Sequence, residues 1–300
     1  MKKLYVLASL LAALALVLSA CAAATPQADN LLDAIKGRGY ILVSTDPNYE
    51  PQSFLNTEGS RSGDSKCPAD ALTTAELQGF DVDVAIAIGD QLGVETCFAT
   101  PGWDTITAGS WADKWDVSVG SMTITTARQE VLDFSVPYYY TPAVVATLAD
   151  SGITSLDQLA GQAVCAAVST TYETWLNGGD LGLPASSVYA SAPEGITVIP
   201  LETDQFCAEA LVSGREDFVA YVTSGTVVDA NIAAGMPVVK VGTPVFSEDL
   251  AAAFDKASTL PTDSLRAEVD NLFTAMHADG RLSELSSKWF DGADLTQDPN

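Results

Sequence analysis

Gly120-Ser121-Met122-Thr123-Ile124-Thr125-Thr126-Ala127-Arg128 is the stretch from which the fold can be read. Just before it, Trp115 to Val119 reads as a buried strand. The chain then turns through hydroxyl-bearing residues and reaches Arg128. A guanidinium presents two parallel N–H donors in a fixed fork, which matches the two oxygens of a carboxylate. Ser121 and Thr123, with free backbone N–H groups of the same turn, add further hydrogen bonds. Two readings of Arg128 follow: an anchor for a ligand's carboxylate, or a structural ion pair with Glu130 or Asp133.

Outward from this turn the chain alternates strands and helices, the pattern of an α/β fold. Upstream, Tyr40 to Thr45 is a β-rich apolar run. Gly79 to Leu92 reads as a helix with Val82, Ile86, Gly89 and Leu92 on one face and Gly93 as its stop. Downstream, Ser155 and Gln158 are spaced as a capping box for a short helix over 154–159. Ala163 to Val168 reads as a strand and Thr171 to Leu176 as a helix. A strand over Ile196 to Ile199 precedes a helix capped by Thr203, running through Val212 and ended by Gly214. Phe218 to Val222 is another strand. Leu265, Val269, Leu272, Phe273 and Met276 recur at helical spacing up to Gly280, and Leu282, Leu285 and Trp289 mark a last helix. Residues 56–78 read as a long surface loop pinned by Cys67. Trp111 and Trp115 are assigned to packing.

The N-terminus sets the compartment. Lys2 and Lys3 precede an apolar run from Leu4 to Val17, then Leu18-Ser19-Ala20-Cys21. A positive start, a short apolar run and small residues describe an export signal over residues 1–20; a bilayer span needs about 20 apolar residues. Leu-Ser-Ala-Cys resembles the bacterial lipobox, which implies that Cys21 becomes the first mature residue and carries a lipid to the membrane. Residues 21–37 are expected to be a lipid-anchored tether. The roughly 270 residues that remain suit two lobes better than one core.

Of five cysteines, four remain after Cys21: Cys67, Cys97, Cys165 and Cys207. An even number in an exported chain favours disulfides. Three pairings are open, and the preferred one, Cys67 with Cys97 and Cys165 with Cys207, keeps each bridge within a lobe. A metal site is the weaker reading, because there is no CxxC and His277 is the lone histidine; no metal or cofactor is expected. Without Lys2 and Lys3 the chain holds 12 basic and 39 acidic residues, a net charge of −27. Such a surface repels phosphate backbones and speaks against nucleic acid as a partner. It suits cationic ligands, or equally serves solubility or a salty habitat.

Four segments resemble one family in order and spacing: Asp46-Pro47-Asn48-Tyr49-Glu50-Pro51, Gly79-Phe80-Asp81-Val82-Asp83, the Gly120–Arg128 stretch, and Ala278-Asp279-Gly280 with Lys288-Trp289-Phe290. Asp133-Phe134-Ser135-Val136-Pro137-Tyr138-Tyr139 fits the same pattern. Over roughly residues 38–290 the chain resembles the family 3 extracellular solute-binding proteins, the amino-acid receptors of ABC importers. The resemblance implies a two-lobed periplasmic-binding-protein fold of type II, with a ligand cleft between lobes joined by two crossover segments. Lobe 1 would comprise 38–140 and 247–292, lobe 2 would comprise 141–246, and 293–300 would be a C-terminal tail. It also implies a monomer that receives a small ligand and delivers it to permease subunits.

Carried over residue by residue, the resemblance assigns Ser121, Thr123 and Arg128 to the ligand backbone. Ser169, Thr170 and Thr171 match the family's Gly-Thr-Thr turn at a helix start, where N–H groups favour an anion; plain capping by Thr170 is the other reading. Tyr49 and Trp103 match positions that flank the ligand side chain, and Asp46 one that meets a positive group. One departure stands out. The family's ammonium-binding aspartate, eight residues past Gly214, is Val222 here, and Asp217 matches a different, structural aspartate. Either another acid such as Glu50, Asp104 or Glu173 serves, or the ligand is not an ordinary α-amino acid. Beside the transport receptor stand two other classes, a dehydratase-like enzyme of the same fold and a ligand sensor. No Ser/His/Asp or Cys/His set supports an enzyme, while a carboxylate acid/base pair remains open.

Overall fold

A computed structural model describes residues 28–299; the expected export signal, Cys21 and the first residues of the tether lie outside the described residues. In chain order the strands are β1 (Tyr40–Ser44), β2 (Asn48–Tyr49), β3 (Ser53–Leu55), β4 (Leu72–Thr73), β5 (Leu77–Gln78), β6 (Glu95–Ala99), β7 (Val117–Thr123), β8 (Leu132–Phe134), β9 (Tyr139–Leu148), β10 (Ala163–Ala167), β11 (Thr197–Leu201), β12 (Ala220–Ser224) and β13 (Val238–Asp255). The helices are α1 (Leu31–Arg38), α2 (Phe80–Leu92), α3 (Trp103–Thr107), α4 (Thr126–Gln129), α5 (Thr171–Leu176), α6 (Asp204–Val212), α7 (Gly225–Ala233), α8 (Asp263–Asp279) and α9 (Arg281–Trp289).

The main sheet runs β11-β10-β12-β9-β13-β7-β1-β6-β4, and β8 pairs with β13. β1 lies parallel to β6 and β7, and β10 lies parallel to β11 and β12. Such strands need helices on both faces, so they are largely buried and mostly apolar, with hydroxyl-bearing residues such as Ser118, Thr123 and Thr223 among them. Two sets of cores result, and the fold is two-lobed. One joins Ile35, Ile41, Phe80, Ile88, Val117 and Tyr139 to Leu250, Phe254, Val269, Phe273 and Phe290. The others lie within 143–246: Val164, Tyr172, Trp175, Val222 and Phe246 on one face of the sheet, Cys165, Cys207, Leu211, Phe218 and Tyr221 on the other.

β9 and β13 run beside each other where core membership changes. Phe246 faces Ala143 and Leu250 faces Tyr139, and β13 continues to pair Leu250 with Thr123 of β7. This register seats Thr123 and the strand that carries it against the second long strand.

Several elements match the reading from sequence. α2 ends at Gly93, whose φ of 72° suits glycine. Thr203 caps α6, accepting from Phe206 N at 3.2 Å, and Ser155 N donates to Gln158 Oε1 at 3.1 Å. Both disulfides form as paired, with Cα–Cα distances of 5.4 Å for Cys67–Cys97 and 5.8 Å for Cys165–Cys207. Trp111 and Trp115 pack with ring centroids 5.2 Å apart.

Other expectations are corrected. The tether was expected to reach residue 37, yet α1 begins at Leu31 and buries Leu31, Leu32 and Ile35 in the first core. Asn30 caps this helix by accepting from Asp33 N at 3.0 Å. The expected tail is held at its start: Tyr140 N donates to Leu295 O at 2.8 Å, and Thr296 is buried. The strand expected over 115–119 is β7, shifted toward Thr123 because β13 pairs there. The strand expected over 218–222 is β12, two residues later.

Candidate functional site

The Gly120–Arg128 turn closes β7 and opens α4. Thr125 caps α4, its Oγ1 accepting from Arg128 N at 3.2 Å. This fixes the arginine, whose side chain points into a cavity between the two halves. The cavity holds about 440 Å³ of empty space, counting its mouth, and Asp46, Tyr49, Trp103, Ser121, Thr123, Arg128, Thr170 and Thr171 line it. Eight of the nine residues expected to bind ligand therefore converge there. Ser169 does not line it. Its carbonyl instead accepts from Arg128 Nη2 at 3.2 Å, while its N–H donates to Glu173 at 2.7 Å.

Arg128 is 8 % exposed. Nη1 donates to Thr123 O at 3.0 Å, and the guanidinium stands 5.5 Å from the centroid of the Trp103 ring. No carboxylate lies within ion-pair distance of it among the described residues; Asp133 pairs instead with Lys256. The structural ion pair with Glu130 or Asp133 is thus absent. Burial pulls the Arg128 pKa down to about 10, against the opposing pull of the Glu248 charge, so it stays cationic near neutrality.

The turn residues do more holding than expected. Ser121 has φ 56° and Ser169 φ 60°, a left-handed backbone rare for residues with a side chain. This explains why glycine suits the second position. The N–H of Ser121 is not free: it donates to Tyr138 OH at 3.0 Å, and Ser121 Oγ donates to Asp81 at 2.6 Å. Tyr138 OH also donates to Asp81, at 2.7 Å, and burial pushes that carboxyl up to about 7. On the other side Thr170 does cap α5, accepting from Glu173 N at 3.1 Å.

The remaining lining residues are Gly120, Ala167, Tyr172, Glu202, Asp204 and Glu248. Glu248, on β13, is buried. It accepts from Thr123 Oγ1 at 2.6 Å, Thr171 Oγ1 at 2.7 Å and Tyr172 OH at 2.8 Å. Its carboxylate therefore joins both halves, and burial raises its pKa against these donors. Tyr49 OH and Tyr172 OH meet across the cleft at 3.3 Å, and Gln52 Nε2 donates to Thr226 Oγ1. These contacts join the two halves across the closed cleft.

Asp204, first residue of α6, is 5 % exposed, and among the described residues no donor meets its Oδ1 at normal hydrogen-bond geometry. Thr223 and the Ala167 N–H still lie near enough to the carboxyl to favour its charged form. Burial, then the charge of Asp46, push Asp204 up to about 8. Burial likewise raises Asp46, which accepts from Asn48 N at 2.8 Å and feels the charge of Glu202.

Val222 is fully buried in a core and does not line the cavity. None of the proposed substitutes lines it either. Glu50 borders a separate groove, Asp104 is exposed and accepts from Thr105 N, and Glu173 is engaged by Ser169. Asp217 pairs with Arg215 at the surface. The acids inside are Asp46, which was anticipated, and Glu202, Asp204 and Glu248, which were not. Asp204 was hidden because an acid in the first turn of a helix has an ordinary reading as a partner of the helix dipole. Glu248 stands two residues past the expected crossover at Phe246, a position with no periodic signal.

The chain belongs to the bacterial extracellular solute-binding proteins, family 3. That family's profile matches residues 41–292. The L-cystine-binding protein TcyJ of Escherichia coli K12 is 28 % identical over 271 residues, covering 90 % of this chain and 89 % of that one. Among solved structures, the ancestral amino acid-binding protein AncCDT-1, a precursor of cyclohexadienyl dehydratase, superposes with a TM-score of 0.69 at 28 % identity, covering 86 % of this chain and 99 % of that one. Holo ArgBP from T. maritima gives 0.66 at 25 % identity, covering 86 % and 99 %. No helix among the described residues is long and apolar enough to cross a membrane.

Proposed function

We propose that the protein is the receptor subunit of an amino-acid ABC importer. It captures its ligand between the lobes, seats the ligand's carboxylate on Arg128, and presents the closed form to the permease. A lipid on Cys21 tethers it outside the cytoplasm, and it works as a monomer. The observation that carries this reading is Arg128, a buried cation with no carboxylate partner among the described residues, aimed into an interlobe cavity. A buried charge calls for a counter-ion, and a carboxylate-bearing ligand supplies one. Ser121, Thr123, Thr170 and Thr171 border that position, with Tyr49 and Trp103 as aromatic walls. The family and the binding proteins it resembles support the same role. Protein purified without denaturation should release an unmodified amino acid in near-equal amount when unfolded, as read by mass spectrometry. Recovery of no amino acid after incubation with a full set would overturn the reading.

A second reading is a cyclic-acid dehydratase. It draws on Asp204, a buried carboxyl in the cavity whose pKa burial raises, and on the likeness to a dehydratase precursor. Turnover of cyclic amino-acid precursors by the purified protein separates the two.

A further inference from the structure

The cavity holds more carboxyl groups than a zwitterionic amino acid balances. Among the described residues Arg128 is the one cation that lines it, beside four acids: Asp46, Glu202, Asp204 and Glu248. Glu248 is satisfied by three hydroxyl donors. The other three form no ion pair among the described residues. They also come from opposite sides. Asp46 follows β1 in the first lobe, while Glu202 and Asp204 follow β11 in the second, and α6 packs against β2 across the cleft.

Closing the cleft therefore drives like charges together and takes Asp204 out of water. Two carboxylates brought near each other in a buried place disfavour ionisation; after burial, the charge of Asp46 raises Asp204 and the charge of Glu202 raises Asp46. Asp204 Oδ1, unpartnered among the described residues, lies at this acidic wall, and Val222 does not line it. A cation seated there would satisfy the oxygen and cancel the repulsion that closure creates.

We infer that a positively charged group of the ligand, seated between Asp46 and Asp204 with Glu202 at the rim, is what licenses closure, and that the ligand is a cationic amino acid. This rests on the receptor reading above. The counter-charge missing from β12 is supplied from the start of α6. A neutral side chain leaves the wall uncompensated and is rejected by the cost of closing, not by a clash.

The test uses the mature protein stripped of ligand, titrated by calorimetry with L-arginine, L-lysine, L-glutamine, L-glutamate and agmatine, with small-angle scattering of each mixture. L-Arginine or L-lysine should bind at least about 30-fold more tightly than L-glutamine, and only the cationic ligands should compact the protein. Asp204→Asn keeps the shape and removes the charge. It should lower affinity for the cationic amino acid by about 30-fold or more and bring it within a few fold of L-glutamine. Ligand-free Asp204→Asn should also be more compact than ligand-free wild type, a change that a merely structural role would not produce. Glu202→Gln, at the exposed rim, should weaken the cationic ligand several-fold without affecting folding, so it decides the question if Asp204→Asn is unstable. Tighter binding of L-glutamine or L-glutamate, unchanged in the variants, would overturn the inference and leave the receptor reading standing. Binding of agmatine alone, lost in Asp204→Asn, would keep the cation site and overturn the carboxylate anchor. No binding by any of the five ligands would overturn the inference.

Discussion

Replacing Arg128 separates its fork from its charge. In wild type the guanidinium makes two hydrogen bonds to carbonyls, at 3.0 Å to Thr123 and 3.2 Å to Ser169, and pairs with no carboxylate among the described residues. A bound carboxylate is its missing partner. Truncating one side of a buried, hydrogen-bonded charge pair costs about 2–5 kcal/mol, or roughly 30- to several-thousand-fold in affinity. Arg128→Ala should show that loss. Arg128→Lys keeps a cation but not the planar fork, nor a reach to both carbonyls at once, and should recover little of it. Folding suffers less: the contact to Ser169 exists only in the closed form, and a hydrogen bond to a charged group is worth about 1.5–3 kcal/mol. Calorimetric titration of both variants, beside melting curves without ligand, is the assay. Wild-type affinity in both would refute the carboxylate anchor, and failure of both to fold would make Arg128 a structural residue.

Non-reducing peptide mapping should recover Cys67 linked to Cys97 and Cys165 linked to Cys207, and removing either bridge should cost about 2–4 kcal/mol in urea denaturation; free thiols at all four positions would contradict this. The ligand-free protein should lose stability as pH rises. Asp81, buried within one lobe against Ser121 and Tyr138, is raised from 3.8 to about 7, so between roughly pH 4 and pH 7 the folded state holds a proton that the unfolded chain has released. Urea midpoints at pH 5 and pH 8 check the slope, which should be shallower in Asp81→Asn; an equal slope would mean that Asp81 is not the group that titrates. Saturating ligand should lower the radius of gyration, because Glu248, Tyr49 and Arg128 bridge the lobes only when the cleft is shut; an unchanged radius would count against the hinge.

Much of this was legible before the fold was known, for physical reasons. Caps and stops are local chemistry, so Thr203, Ser155 with Gln158, and Gly93 marked their elements. The Gly120–Arg128 turn is local as well and brings Ser121, Thr123 and Arg128 to the cavity, while Asp46, Tyr49, Trp103, Thr170 and Thr171, which join them there, were expected from the family resemblance. What stayed hidden depends on distant partners. The 18 residues of β13 change neighbours from β9 to β7, and no periodic pattern within them announces that. α7 opens on Gly225-Thr226-Val227-Val228, glycine and β-branched residues with poor helix propensity and no side-chain cap, so packing makes the helix. The Ser121 N–H was expected to face ligand, but Tyr138, brought in by the strand that follows, takes it. The acids were misplaced for the same reason: only tertiary structure sets Glu202, Asp204 and Glu248 around the cavity and leaves Glu50, Asp104 and Glu173 outside it.

A thermal-shift titration of the ligand-stripped protein with each free amino acid bears most directly on capture of an amino acid between the lobes. A ligand at 100-fold its dissociation constant stabilises the folded state by about 2.7 kcal/mol, enough to move the midpoint by several degrees. At least one amino acid should do this in wild type and fail to do it in Arg128→Ala. A midpoint that no amino acid moves, or one that moves equally in both proteins, would contradict capture through Arg128.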